Sequence, residues 1–91
     1  MSATPAQVAN DLDAQASYFA KSDADLARLC RDTARLIRQL QDGQTVEAGW
    51  VAACHARLLS VWSRSASESQ IWKSLNRARL MIDQLRFGAP A

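Results

Sequence analysis

The sequence predicts an all-α fold: a compact bundle of about four amphipathic helices joined as antiparallel hairpins, open to completion by dimerisation. Three observations carry this expectation. Apolar residues recur at three- and four-residue steps through four successive segments. Capping residues stand where those segments open. The three Gly and two Pro (Pro5, Gly43, Gly49, Gly88, Pro90) lie near the ends or at one junction, a distribution that long helices tolerate and a turn-rich β fold does not.

The first helix is expected over 5–21. Thr4, Pro5 and Gln7 make a Thr-x-x-Gln capping box with proline at the first helical position. Val8, Leu12, Ala16 and Phe19 then share one face, and Tyr18 lies off it. The second helix is expected over 23–42, capped by Ser22 or Asp23, with Asp25 complementing the dipole in its first turn. Its stripe (Leu26, Leu29, Cys30, Thr33, Leu36, Ile37, Leu40) is the cleanest amphipathic pattern in the chain, and Gly43 suits a left-handed residue just past its end.

The third helix is expected over 46–64, with Thr45 as its cap and Val46, Trp50, Val51, Cys54, Leu58, Val61 and Trp62 inward. A serine cluster at 63–67 interrupts the pattern without forbidding a kinked continuation. Ser67 with Gln70 reads as a second capping box and opens a fourth helix over 68–87, where Ile71, Leu75, Ala78, Ile82 and Leu85 keep the inward spacing. Such short connections make sequential helices fold back on one another. A chain of 91 residues suits one domain, and its core is thin enough for oligomerisation to add stability.

The chain carries a net charge of +2, unevenly spread. Residues 1–25 hold four Asp against one Lys, and residues 26–91 hold ten basic against five acidic side chains. That overall balance is too small to argue by itself for nucleic acid or membrane. No apolar run approaches the ~18–20 residues of a membrane span, and the polar start resembles no signal peptide. Cys30 and Cys54 sit on apolar stripes outside any CxxC or Cys/His spacing. Free buried thiols point to a cytoplasmic setting, and neither a metal nor a cofactor is expected.

Two surfaces exceed what a scaffold needs. Arg28, Arg31, Arg35 and Arg38 fall on one side of the second helix, opposite its leucines, and form a face for an anionic partner. The fourth helix carries Trp72, Leu80 and Phe87 outside its core stripe, with Arg79 and Arg86 extending them. These five residues are read either as the flank of a central helix or as a partner-binding surface.

No assembled nucleophile and base, paired carboxylates or phosphate loop is present, and adjacent Cys54 and His55 point about 100° apart, so an enzyme is not expected. A helix-turn-helix through Gly43 fails because its recognition helix would open with Val46, Glu47, Gly49, Trp50 and Val51, a largely apolar face suited to a core and not to base edges. The expected function is therefore that of a small non-catalytic helical regulator, adaptor or inhibitor, of the kind encoded by phages and mobile elements, that occupies the surface of another protein. The alternatives are nucleic-acid binding through the arginine face and self-association as a homodimer.

Overall fold

The computed structural model describes residues 3–67 and 69–87. Its elements are α1 (Pro5–Phe19), α2 (Ala24–Gln41), α3 (Ala48–Arg64) and α4 (Gln70–Phe87), with no strand among the described residues. Local chemistry explains most of these limits. At Thr4 both arms of the capping box form: the Gln7 amide donates to Thr4 Oγ1 at 3.2 Å and the Thr4 amide donates to Gln7 Oε1 at 2.9 Å. Asp23 caps α2 by accepting the Leu26 amide at 3.1 Å. Past the end of α2, the Gly43 and Gln44 amides return to the carbonyls of Leu40 and Gln39. This pair of bonds is the Schellman ending, and it requires the left-handed φ of +74° that Gly43 adopts.

Two caps differ from the sequence expectation. The residue at the α3 cap position is Glu47, not Thr45, and its side chain makes no capping bond. The α2–α3 connection runs on to Glu47 instead of closing at Thr45, with half-buried Val46 packed against the core just before the helix opens. At α4 the cap is Ser69, whose Oγ accepts the Trp72 amide at 3.2 Å, so Ser67 does not open the helix. A turn from the Ser69 amide to the Ala66 carbonyl occupies that stretch instead. The two helices do not run together, because Ser65 is extended (φ −77°, ψ 149°).

α2 and α4 each touch the three other helices, whereas α1 and α3 do not touch each other. The radius of gyration is 12.3 Å, against about 12 Å expected for a filled domain of this length, so the helices enclose one core instead of a gap. Val8 and Leu12 of α1, Leu29, Leu36 and Ile37 of α2, Leu58 of α3, and Leu75 and Ile82 of α4 supply its bulk. The buried hydroxyl of Thr33 is satisfied by donating to the Leu29 carbonyl at 2.7 Å.

The most extensive backbone contact between helices is that of α1 with α2. Its cause is legible in the side chains. Arg38 Nη2 donates to Asp13 Oδ2 at 2.6 Å and to Asn10 Oδ1 at 3.0 Å, which identifies the flanks that meet. At ~100° per residue, Ala9 and Ala16 lie on the Asp13 flank of α1, and Ala27 and Ala34 on the Arg38 flank of α2. All four alanines are buried. Methyl side chains let helix axes come nearer than leucines would. Ala34→Leu is therefore expected to lose about 1–3 kcal/mol through overpacking, although Leu matches Ala closely in helix propensity. Urea denaturation measures this, and an unchanged midpoint would show slack in the seam.

Candidate interaction surfaces

The described residues contain no cluster of three or more His, Cys, Asp or Glu side chains able to hold a metal ion. No described helix is long and apolar enough to cross a membrane. Both cysteines are buried free thiols. Burial, reinforced by the field of Asp11, pushes Cys30 up from an ordinary 9.0 to about 11. Burial raises Cys54 as well, against the opposing effect of its contact with Thr33, 3.7 Å from Oγ1 to Sγ. At neutral pH both thiols keep their protons, and the thiolate is the form that attacks or ligates.

On α2 the structure places Arg28, Arg31 and Arg35 together on the exposed face, without an ion-pair partner among the described residues. Arg38 does not join them. It lies at the edge of that face, half-buried and engaged by Asp13 and Asn10 of α1. On the opposite edge Asp32 is paired with Arg57 of α3 at 3.3 Å. The strip available to an anion is therefore three guanidinium groups, spanning about two helical turns.

The five residues singled out on α4 separate into two groups. Trp72 turns toward α3, where its ring stacks on Trp62 with centroids 5.7 Å apart and planes 26° from parallel. Arg79 follows it: its guanidinium lies 4.8 Å from the Trp62 ring centroid and donates to Asn76 Oδ1 at 2.8 Å. Further along the same flank, Asp83 Oδ1 stands 3.4 Å from His55 Nε2. This α3–α4 seam leaves His55 Nε2, Trp62 Nε1 and Arg79 Nε buried without a hydrogen-bond partner. Stacking and charge hold it together, and such orphaned groups weaken a contact instead of tightening it.

Leu80, Phe87 and Arg86 stay outside. Leu80 is 52% exposed and Phe87 73%, and only Tyr18 of α1, at 78%, joins them among the described large apolar residues left in water. The two α4 residues stand one heptad apart on one face, beside exposed Lys73 and Arg77. The Arg86 guanidinium lies over the Phe87 ring at 4.7 Å.

Two grooves among the described residues bear on these surfaces. One, of about 690 Å³, has a floor of Leu26, Leu29 and Val61. Part of its polar wall is committed elsewhere: Asp23 caps α2, Arg57 pairs with Asp32, and Arg64 Nε donates to the Ser60 carbonyl, while Asp25 also lines it. The other, of about 510 Å³, is mostly apolar and runs between the end of α1 (Ala14, Tyr18, Phe19) and the start of α4 (Ser69, Ile71). Sequence reasoning missed this groove. Tyr18 falls off the α1 core face, but nothing local says that Ile71 lies across from it.

Comparison with protein-family models, with curated proteins and with solved structures finds no match to this chain.

The buried thiols carry a pH signature. Because the folded state holds the Cys30 proton above the ordinary thiol value, this contribution to stability is complete below about pH 9 and is lost as the pH rises toward 11. The full crossing is worth on the order of 3 kcal/mol. Cys30→Ala is expected to flatten the fall of stability between those values, read from urea midpoints at stepped pH. A slope equal to that of the wild type would place the thiol in contact with solvent.

Proposed function

We propose that the protein is a non-catalytic helical regulator or inhibitor that acts by covering a surface of another protein with the outer face of α4. The observation that carries this reading is the exposure of Leu80 and Phe87 on one face of a helix whose core positions are otherwise filled. Large apolar side chains kept in water by a small fold make efficient anchors, and aromatic and arginine side chains are the commonest energetic centres of interfaces. Arg86, stacked on Phe87, supplies both characters at one point. Lys73 and Arg77 add a basic border, which favours a partner of acidic character.

Trp72 and Arg79 support this face indirectly. Their stacking against Trp62 ties α4 to α3, so Trp72→Ala is expected to lower thermal stability, whereas Leu80→Ala/Phe87→Ala is not. The double variant should fold with an unchanged melting curve and recover at least about tenfold less partner from a native lysate than the wild type, the scale of losing two anchors. Equal recovery of the same partner by both proteins would refute the assignment of the face.

A second reading rests on the exposed Arg28, Arg31 and Arg35, which have no ion-pair partner among the described residues. Guanidinium groups along a helix can track a phosphate backbone. In that case duplex or single-stranded nucleic acid shifts in a gel at low salt, the shift weakens steeply as salt rises, and Arg31→Ala/Arg35→Ala abolishes it. No shift at about 50 mM salt, where non-specific contacts are strongest, removes this reading.

A further inference from the structure

We infer that the α4 face is itself covered by a second copy of this chain, which receives Leu80 and Phe87 in the apolar groove between α1 and α4. The inference rests on the reading of that face as a docking surface and names an occupant for it.

Both halves of the contact are present on one chain. The projecting half is Phe87, with Leu80 one heptad before it. The receiving half is the groove of about 510 Å³ lined by Ala14, Tyr18, Phe19 and Ile71, with Tyr18 standing 78% exposed at its edge. Three large exposed apolar residues are described, and these two features contain all of them. Phe87 cannot fill the groove of its own chain. It lies sixteen residues along a continuous helix from Ile71, a separation of about 24 Å at 1.5 Å per residue. An equivalent groove within reach exists only on another molecule.

Charge selects the pairing. α1 contains Asp11 and Asp13 and no basic residue, and Asp11 shares its outward quadrant with Ala14 and Tyr18, within about 60° at ~100° per residue. α4 contains Lys73, Arg77, Arg79 and Arg86 against Asp83 alone. Two α4 faces laid symmetrically on each other would bring Lys73, Arg77 and Arg86 of both copies together. Seating α4 of one copy against α1 of the other brings basic side chains to Asp11 instead. Each copy offers one projection and one groove, so two copies satisfy each other reciprocally in a closed dimer.

The contact is small. An exposed aromatic side chain brings on the order of 150–200 Å², which keeps the reciprocal pair near the low end of specific interfaces. Association is therefore reversible, and it regulates the proposed docking face by competing for it: a partner binds Leu80 and Phe87 only after the copies separate.

The test uses the purified protein in sedimentation equilibrium, with single variants at exposed positions where folding is undisturbed. Wild type sediments as a dimer as its concentration approaches about 1 mM, a range in which contacts of this size are populated. Phe87→Glu removes the projection and Tyr18→Glu spoils the groove, so each variant alone is a monomer with an unchanged circular dichroism spectrum. A monomeric wild type at that concentration, or a Phe87→Glu or Tyr18→Glu protein that associates like wild type, overturns the inference. None of these results bears on the capture of a different protein through Leu80 and Phe87, so that reading stands or falls separately.

Discussion

The close approach of α1 to α2, made by four alanines and pinned by Arg38, is the contact on which the other positions depend. Ala9, Ala16, Ala27 and Ala34 leave no room for intervening side chains, so the two helices act as one slab. The bond from Arg38 to Asp13 and Asn10 sets which flanks face each other. Both Arg38 and Asp13 are near half exposed, so their ion pair contributes orientation more than energy. Once the slab is set, Leu12, Leu29, Leu36 and Ile37 present a common apolar floor, and α4 lies on both members of it.

α3 is attached differently. It touches α2 and α4 but not α1, and only Val51, Cys54 and Leu58 of its seventeen residues are buried. Ala52, Ala53 and Ala56 face water. Beyond the core packing of Val51, Cys54 and Leu58 and of half-buried Trp50 and Val61, α3 is held by a sequence of discrete contacts: Asp32 with Arg57, Thr33 with Cys54, the Trp62–Trp72 stack under Arg79, and His55 beside Asp83. Several polar atoms in the α4 seam lack partners, so less is lost on opening there than on opening the alanine slab. Local stability thus grades across the bundle, from α1–α2 at the firm end to α3 at the loose one.

Sequence reasoning reached the features that depend on residues within one helical turn. The Thr4 box, the Asp23 cap and the Gly43 ending are of this kind, since each bond spans five residues or fewer. It misplaced the caps of α3 and α4 because Thr45, Ser67 and Ser69 are all competent acceptors, and the choice among them is made by where the connecting turns close. Helical phase also grouped Trp72 with Leu80 and Phe87, and Arg38 with three other arginines. Phase tells which residues share a flank but not which flank meets a neighbour. Trp62 claims Trp72, and Asp13 claims Arg38; both are contacts between helices that no periodicity encodes.

What remains outside after those claims are met is informative because α4 touches all three other helices. Contact with three neighbours leaves this helix one main open sector, occupied by Lys73, Arg77, Leu80, Gln84 and Phe87, with Gln70 and Arg86 exposed at its two ends. Stability does not need apolar groups there: the inward positions already hold Leu75, Ala78, Met81 and Ile82. A leucine and a phenylalanine in that sector add exposed apolar surface that a solvated helix side would fill with polar groups. The basic residues around them keep the strip in water and discourage α4 from pairing with its own kind, while the acidic outer side of α1 does not repel it. The physical character of the open sector is therefore that of a selective contact, apolar at its centre and charged at its border, and not that of a misplaced fragment of core.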